Sequence, residues 1–150
     1  MKRQNSQIRN IEEIEKLIVK AESGILCIHL SNEKLYQLAC NFIYLDKNVY
    51  VYLDNADENY EHVKYGALGS FSVSFHEKNK SSDFSYKLTY VTINGEIKDV
   101  EDNKVSEQIL ELYREKYSSS VPAEKYLISE NYKLVILDSN EIKALSEEGI

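Results

Sequence analysis

Three histidines, two cysteines and one dense run of carboxylates are the residues of this chain best equipped for chemistry. His29, His62 and His76 stand far apart, and no two have the spacing of a metal-ligand pair. A metal site would need them to converge across the fold; His29 reads more simply as a locally hydrogen-bonded strand residue. Cys27 and Cys40 can form one bridge at most. A nucleophilic cysteine needs a basic neighbour to stabilise its thiolate. The sequence identifies none, so small buried thiols are expected. The run Asp54-Asn55-Ala56-Asp57-Glu58-Asn59-Tyr60-Glu61 has the charge for a cation but lacks the alternating ligands and glycine of an EF-hand loop. It reads as the acidic first turn of a short helix extending to about Gly66. The 12 tyrosines can stack on a planar ligand or serve as core and interface residues with a polar tip. No metal site is expected, and no side chain reads as a catalytic acid or base, so none is assigned.

The elements that position these residues must come from 150 residues, the length of one domain, here expected to span 1–150. With 43% hydrophobic and 29% charged residues, the chain can build a core and does not read as disordered. A net charge of −7 argues against a nucleic-acid partner, whose phosphates need clustered Lys and Arg. No apolar run approaches the roughly 20 residues of a membrane helix, and Met1-Lys2-Arg3 leads into polar residues. A cytoplasmic protein with no membrane partner is expected.

Ile11, Ile14, Leu17, Ile18 and Ala21 fall at helical spacing, with Asn10 as the cap. Strands are expected at Ile25–Leu30, across Leu35–Tyr44, at Val49–Leu53 and at Phe71–Phe75, where apolar residues alternate with serine. Turns fall at Ser31-Asn32 and Asp46-Lys47-Asn48, and His76–Asp83 reads as a polar loop. Tyr86–Val100 reads as a long strand with a bulge or close approach at Gly95. Asp102 caps a second helix whose stripe is Val105, Ile109, Leu112 and Tyr113; it ends near Tyr117, before Ser118–Pro122. Tyr132–Leu137 is the last strand. The sum is an α+β chain of about six antiparallel strands, most simply closed into a barrel, with two or three helices. Tyr44, Tyr50, Tyr52 and Tyr90 offer more amphipathic aromatic surface than one such core absorbs, which points to a homodimer.

The segment Ile11–Val100 resembles the pyridoxamine 5′-phosphate oxidase-like FMN-binding split-barrel family, and within it the nitroimidazole-resistance (Nim) subgroup. The resemblance rests on the acidic-apolar helix, on Gly24-Ile25-Leu26-Cys27, and on Tyr36 to Tyr44 in register with a Pro-x-Asn-Phe-x-Tyr type signature, here Asn41-Phe42-Ile43-Tyr44. It continues without gaps through Val49 to Asp54, Asp57 to Tyr60, Val63-Lys64 and Phe71-Ser72-Val73. Tyr90 to Gly95 and Glu107 to Tyr117 are similar to later family elements. It implies an antiparallel six-stranded split β-barrel with two or three flanking helices, forming a homodimer with FMN in clefts between subunits. By that resemblance the flavin ring lies along the backbone of Leu38, Ala39, Cys40 and Asn41. The phosphate lies near Tyr52, Leu53, Asp54, Glu58 and Asn59.

The implied activity is that of an oxidoreductase, a reductase of small electrophilic or nitroaromatic compounds whose natural substrate is unknown. The departures gather at the phosphate end: Glu58 and Asn59 replace two basic residues, Asp57 a turn glycine, and Tyr52-Leu53 a His-Ser pair. A unit charge 4 Å from a carboxylate is repelled by about 1 kcal/mol in water and about 4 kcal/mol where partly buried. A helix N-terminus returns only about 0.3–1 kcal/mol. The alternative is therefore a non-enzymatic dimeric split-barrel binding protein, with a degenerate flavin site or a different planar ligand such as haem.

Overall fold

A computed structural model describes residues 3–78, 86–117 and 131–149. In chain order the elements are β1 (Arg3–Ile8), α1 (Ile11–Lys20), β2 (Gly24–His29), β3 (Leu35–Cys40), β4 (Ile43–Leu45) and β5 (Asn48–Asp54). A 3-10 turn (Tyr60–His62), β6 (Leu68–Lys78), β7 (Tyr86–Asp99), α2 (Asn103–Tyr117) and β8 (Tyr132–Gly149) complete it. The described strands form one eight-stranded antiparallel sheet in the order β3-β2-β6-β7-β8-β5-β4, with β1 also paired to β8.

The mixed α+β class and antiparallel sheet are as expected, while the strand count and closure are corrected. Among the described residues there are eight strands rather than six, and the sheet they form is open, with β3 and β4 at its two ends. β1 is a polar sequence without alternation, and it is a strand because β8 supplies a partner for its backbone from Arg3↔Gly149 to Ile8↔Ala144. The expected run Leu35–Tyr44 is broken at Asn41-Phe42, which splits off the three-residue β4. β8 continues past Leu137 to Gly149, pairing with β5 through its first half and β1 through its second. His76–Lys78 are strand residues paired to Tyr86–Leu88, not loop. The remainder of that expected loop, and Ser118–Pro122, lie outside the described residues. The helix expected from Asp54 to Gly66 is a single 3-10 turn, because Asp54 and Asp57 accept hydrogen bonds from the backbone N–H two residues on and hold the chain in successive turns.

Local chemistry explains most of the other elements. Asn10 Oδ1 accepts from the N–H groups of Glu12 and Glu13 and starts α1. Asp102 Oδ1 does the same for Lys104 at α2. The β4–β5 hairpin turns through Asp46 and Lys47, both with positive φ (50° and 69°), as the twist of a two-residue hairpin demands. At Gly95 the β7–β8 register shifts by one residue, and a Cβ there would stand 2.1 Å from the Asp138 carbonyl oxygen, so no larger residue fits.

Strand alternation divides the interior in two. Val49, Val51, Leu53, Val135 and Leu137 face a main core that includes Leu26, Phe42 and Phe71 and is covered by Ile14 and Ile18 of α1. From the opposite face, Tyr50, Tyr52, Leu134 and Ile136 pack under Ile109, Tyr113 and Tyr117 of α2. This corrects the tyrosine argument for a dimer. Tyr50 and Tyr52 are covered by the chain's own second helix, and Tyr44 donates to Glu15 Oε2 at 2.8 Å.

Candidate functional site

Where β3 ends and the chain turns toward β4, a cleft of about 370 Å³ opens, lined by Ser23, Ala39, Cys40, Asn41, Tyr52 and Tyr113. Its volume falls within the range of small-molecule sites. Tyr52 reaches it because alternation in β5 sends Tyr50 and Tyr52 to the face opposite Val51 and Leu53. Tyr113 lies one helical turn beyond Ile109 and meets Tyr52 edge-to-face, with ring centroids 5.4 Å apart and planes at 88°. Asn41 Nδ2 donates to the Tyr113 hydroxyl at 3.3 Å. Gly24, next to Ser23, has no room for a side chain, since a Cβ would stand 2.2 Å from the Phe71 ring.

Among the described residues the lining contains no carboxylate, amine or imidazole. Burial pushes the Cys40 thiol up to about 12, against an opposing hydrogen bond from the Leu26 backbone, so it is a protonated wall residue rather than a nucleophile. Burial, with the Tyr113 phenol adding to it and Arg114 opposing, raises Tyr52 to about 12. The one strand edge at the cleft is that of β3, which ends the sheet and pairs with no described strand on its outer side. An edge strand presents free backbone donors and acceptors. The cleft can therefore bind a flat ligand between aromatic walls and a hydrogen-bonding edge.

Of the residues assigned from the sequence, Ala39, Cys40, Asn41 and Tyr52 meet at this cleft. Leu38 packs against the core, and Leu53 is 1% exposed within it, so neither side chain lines the cleft. Asp54 ends β5, Glu58 and Asn59 lie in the turns after it, and none of the three lines the cleft. There Asp57 accepts a hydrogen bond from the Tyr36 hydroxyl at 3.0 Å, and Glu58 is exposed. Sequence reasoning missed Ser23 and Tyr113. Tyr113 carried a signal, the i, i+4 row Ile109-Tyr113-Tyr117, which reads as core stripe. The histidines are dispersed: His29 beside Glu33, His62 beside Glu61, His76 against the Tyr86 ring. Among the described residues no three His, Cys, Asp or Glu side chains gather around a point.

An open antiparallel sheet with two helices, and a cleft where its edge strand turns, defines a split-barrel protein. Solved structures carry the same fold. A protein of Bacteroides thetaiotaomicron assigned to 5-nitroimidazole antibiotic resistance matches with a TM-score of 0.76 at 15% identity, over 99% of this chain and 90% of that one. An FAD-binding protein of Mycobacterium smegmatis matches at 0.63 and 11% identity, over 94% and 98% of the two chains. HutZ, the haem storage protein of Vibrio cholerae, matches at 0.67 and 12%, over 90% and 94%. The first two are of the kind the resemblance of Ile11–Val100 points to, and at such identities the likeness establishes the fold. No protein-family model and no curated protein matches the sequence. Among the described residues no helix is long and apolar enough to cross a membrane.

Proposed function

We propose that this chain is a flavin-binding split-barrel protein that holds FMN in the cleft beside Ala39–Asn41. The observation that carries the reading is the cleft itself, an aromatic slot against the free edge of β3 at the position assigned from sequence. The FAD-binding neighbour supports a flavin. Ala39, Cys40 and Asn41 would bound the ring on one side, and Tyr52 and Tyr113 on the other. When bound, the flavin supplies two-electron redox chemistry, consistent with a reductase of small electrophilic compounds. The chain's own residues bind, orient and exclude water.

The protein acts as a homodimer in this reading. Support comes from the outer face of β3-β2-β6, where Leu35 is 72% and Leu68 64% exposed. A shallow depression of about 610 Å³ opens there, lined by Cys27, His29, Leu35 and Leu68 among others. Ala39 lies on the outward face of β3 with Leu35 and also lines the cleft, so a second copy seated here would border the ligand.

One observation favours a second reading, a binding protein for a planar ligand without a phosphate. Asp54, Asp57 and Glu58 occupy the segment that the resemblance assigns to the phosphate. The visible spectrum of protein purified without added cofactor tests both. Flavin bands, and a shift of added FMN on titration, are expected. A Soret-type band, or a colourless protein indifferent to FMN, would overturn the flavin reading. A 17.4 kDa species in sedimentation equilibrium at micromolar concentration would overturn the dimer.

A further inference from the structure

Beside the cleft, three segments meet at one hydroxyl. The Tyr117 oxygen lies 2.7 Å from the Glu22 carbonyl oxygen, and 3.1 Å from both the backbone nitrogen and the carbonyl oxygen of Phe42. A phenol has one hydrogen to give. The shortest contact takes it, so Tyr117 donates to Glu22 and accepts from the Phe42 N–H. The Phe42 carbonyl is then served by Lys116, whose Nζ donates to it at 3.2 Å and sits 3.7 Å from the centroid of the Phe42 ring. Tyr117 is 4% exposed and Phe42 is fully buried, so each of these polar groups would be costly to leave unpaired. The residues tied together are the immediate neighbours of the cleft lining: Glu22 precedes Ser23, and Phe42 follows Asn41.

We propose that Tyr117 and Lys116 are positioning residues for the cleft, the Tyr117 hydroxyl fixing the separation of its Ser23 and Asn41 sides and Lys116 completing the corner at Phe42. The inference rests on the flavin reading for its purpose but not for its test, because Cys40 reports on the same wall without a ligand. Cleft geometry held to within about 0.5 Å is what preorganised binding requires.

The experiment is alkylation of the full-length protein by iodoacetamide at pH 8.5, with the rates at Cys40 and Cys27 read separately by mass spectrometry. Cys27 lines the face assigned above to the second copy, and it serves as the internal control where sedimentation equilibrium shows variant and wild type in the same oligomeric state. Tyr117→Phe keeps the ring and removes the hydroxyl. It is expected to raise the Cys40 rate relative to Cys27 by about 5- to 10-fold, the scale of one lost hydrogen bond. Lys116→Met is expected to give a smaller rise and Lys116→Arg to restore the wild-type ratio. A ratio within twofold of wild type in Tyr117→Phe overturns the proposal. Titration of the same variants with FMN and riboflavin follows, and an equal loss for both ligands of about 10-fold is expected. Faster Cys40 alkylation with unchanged affinities would overturn the positioning role. A wild-type protein that binds neither flavin refutes the function proposed above, while the alkylation ratio still judges the corner.

Discussion

The corner at Asn41-Phe42 and the turns from Asp54 to Glu61 are the two regions that the resemblance assigns to the ligand, and they are built in opposite ways. At the corner, Phe42, Tyr113 and Tyr117 are 0%, 3% and 4% exposed, and their hydrogen bonds join residues more than 70 positions apart. In the turns, Asp54 and Glu58 are exposed, and the Asp54 and Asp57 carboxylates accept from the backbone two residues on, Asp57 also from the Tyr36 hydroxyl. A buried bond between distant segments must be made or its partners remain unsatisfied. An exposed local turn can change its side chains at little cost. Of the positions where the sequence departs from the pattern of the resemblance, Glu58 is exposed, while Asp57 and Asn59 are half-buried.

The largest break in this contrast comes from Phe42→Ala. Phe42 is wholly buried and its ring packs on Phe71, with centroids 4.7 Å apart. Emptying the site is expected to cost about 3–5 kcal/mol in chemical denaturation. Glu58→Ala in the turns is expected to stay within about 0.5 kcal/mol of wild type. Comparable losses for the two would remove the distinction.

The next effect is on binding. Glu58→Lys removes one repulsion from a phosphate and adds one attraction, each worth about 1 kcal/mol at a partly exposed site, hence roughly 10- to 30-fold tighter FMN binding. The gain should shrink between 0.05 and 0.5 M salt (about 14 to 4 Å of screening length) and be much smaller for riboflavin. An unchanged FMN affinity would mean that the phosphate does not lie against these turns.

The sequence was legible where the pattern was local and periodic. Val49–Leu53, the caps Asn10 and Asp102 and the α1 stripe apart from the exposed Ile11 appear as read, because alternation, helical spacing and short side-chain caps are properties of a few consecutive residues. β1 and the second half of β8 were not, because their polar sequences become strands only through pairing with each other and with β7. The same division holds at the cleft. Ala39, Cys40, Asn41 and Tyr52 were assigned from sequence, whereas Tyr113 and Tyr117 arrive from α2, where an i, i+4 pair of tyrosines looks like any buried stripe. No local pattern shows that Tyr117 will find the backbone of Glu22 and Phe42.

A smaller effect concerns pH. Burial holds the Lys116 ammonium down at about 8, with Glu22 opposing, whereas the unfolded chain titrates near the ordinary 10.5. Below pH 8 both states carry the proton and the desolvation cost is fully present. Between about 8 and 10 the unfolded state holds more protons, so stability rises with pH, by roughly 1 kcal/mol once solvent screening is allowed for. Past pH 10 the trend reverses, because burial keeps Tyr52 and Tyr117 protonated up to about 12 while unfolded tyrosines ionise. Lys116→Met should abolish the rise from pH 8 to 10 and leave the fall above it. A wild-type curve as flat as the variant's would show that the corner's ammonium is as well solvated as a surface lysine.

The smallest expected effect comes from Asp57→Asn, and it tests the exposed region on its own terms. Asp57 Oδ1 accepts from the Asn59 N–H at 2.8 Å and Oδ2 from the Tyr36 hydroxyl at 3.0 Å. An asparagine keeps the first bond through its carbonyl oxygen and the second by donating from its amide, with the phenol turning to accept. Geometry is retained and one negative charge is lost. Stability should move by less than about 0.5 kcal/mol. Tyr36, raised to about 12 by burial and then by the Asp57 carboxylate, should titrate lower in the variant, which a spectrophotometric titration of the phenols reads. If the phosphate lies near these turns, FMN should bind about 3- to 5-fold tighter, with riboflavin unchanged, since one repulsion of about 1 kcal/mol has been removed and nothing added. A gain equal to that of Glu58→Lys would place Asp57 nearer the phosphate than Glu58. A fall in FMN affinity would mean that the Tyr36–Asp57 bond itself shapes the site, and that the exposed turns are as constrained as the buried corner.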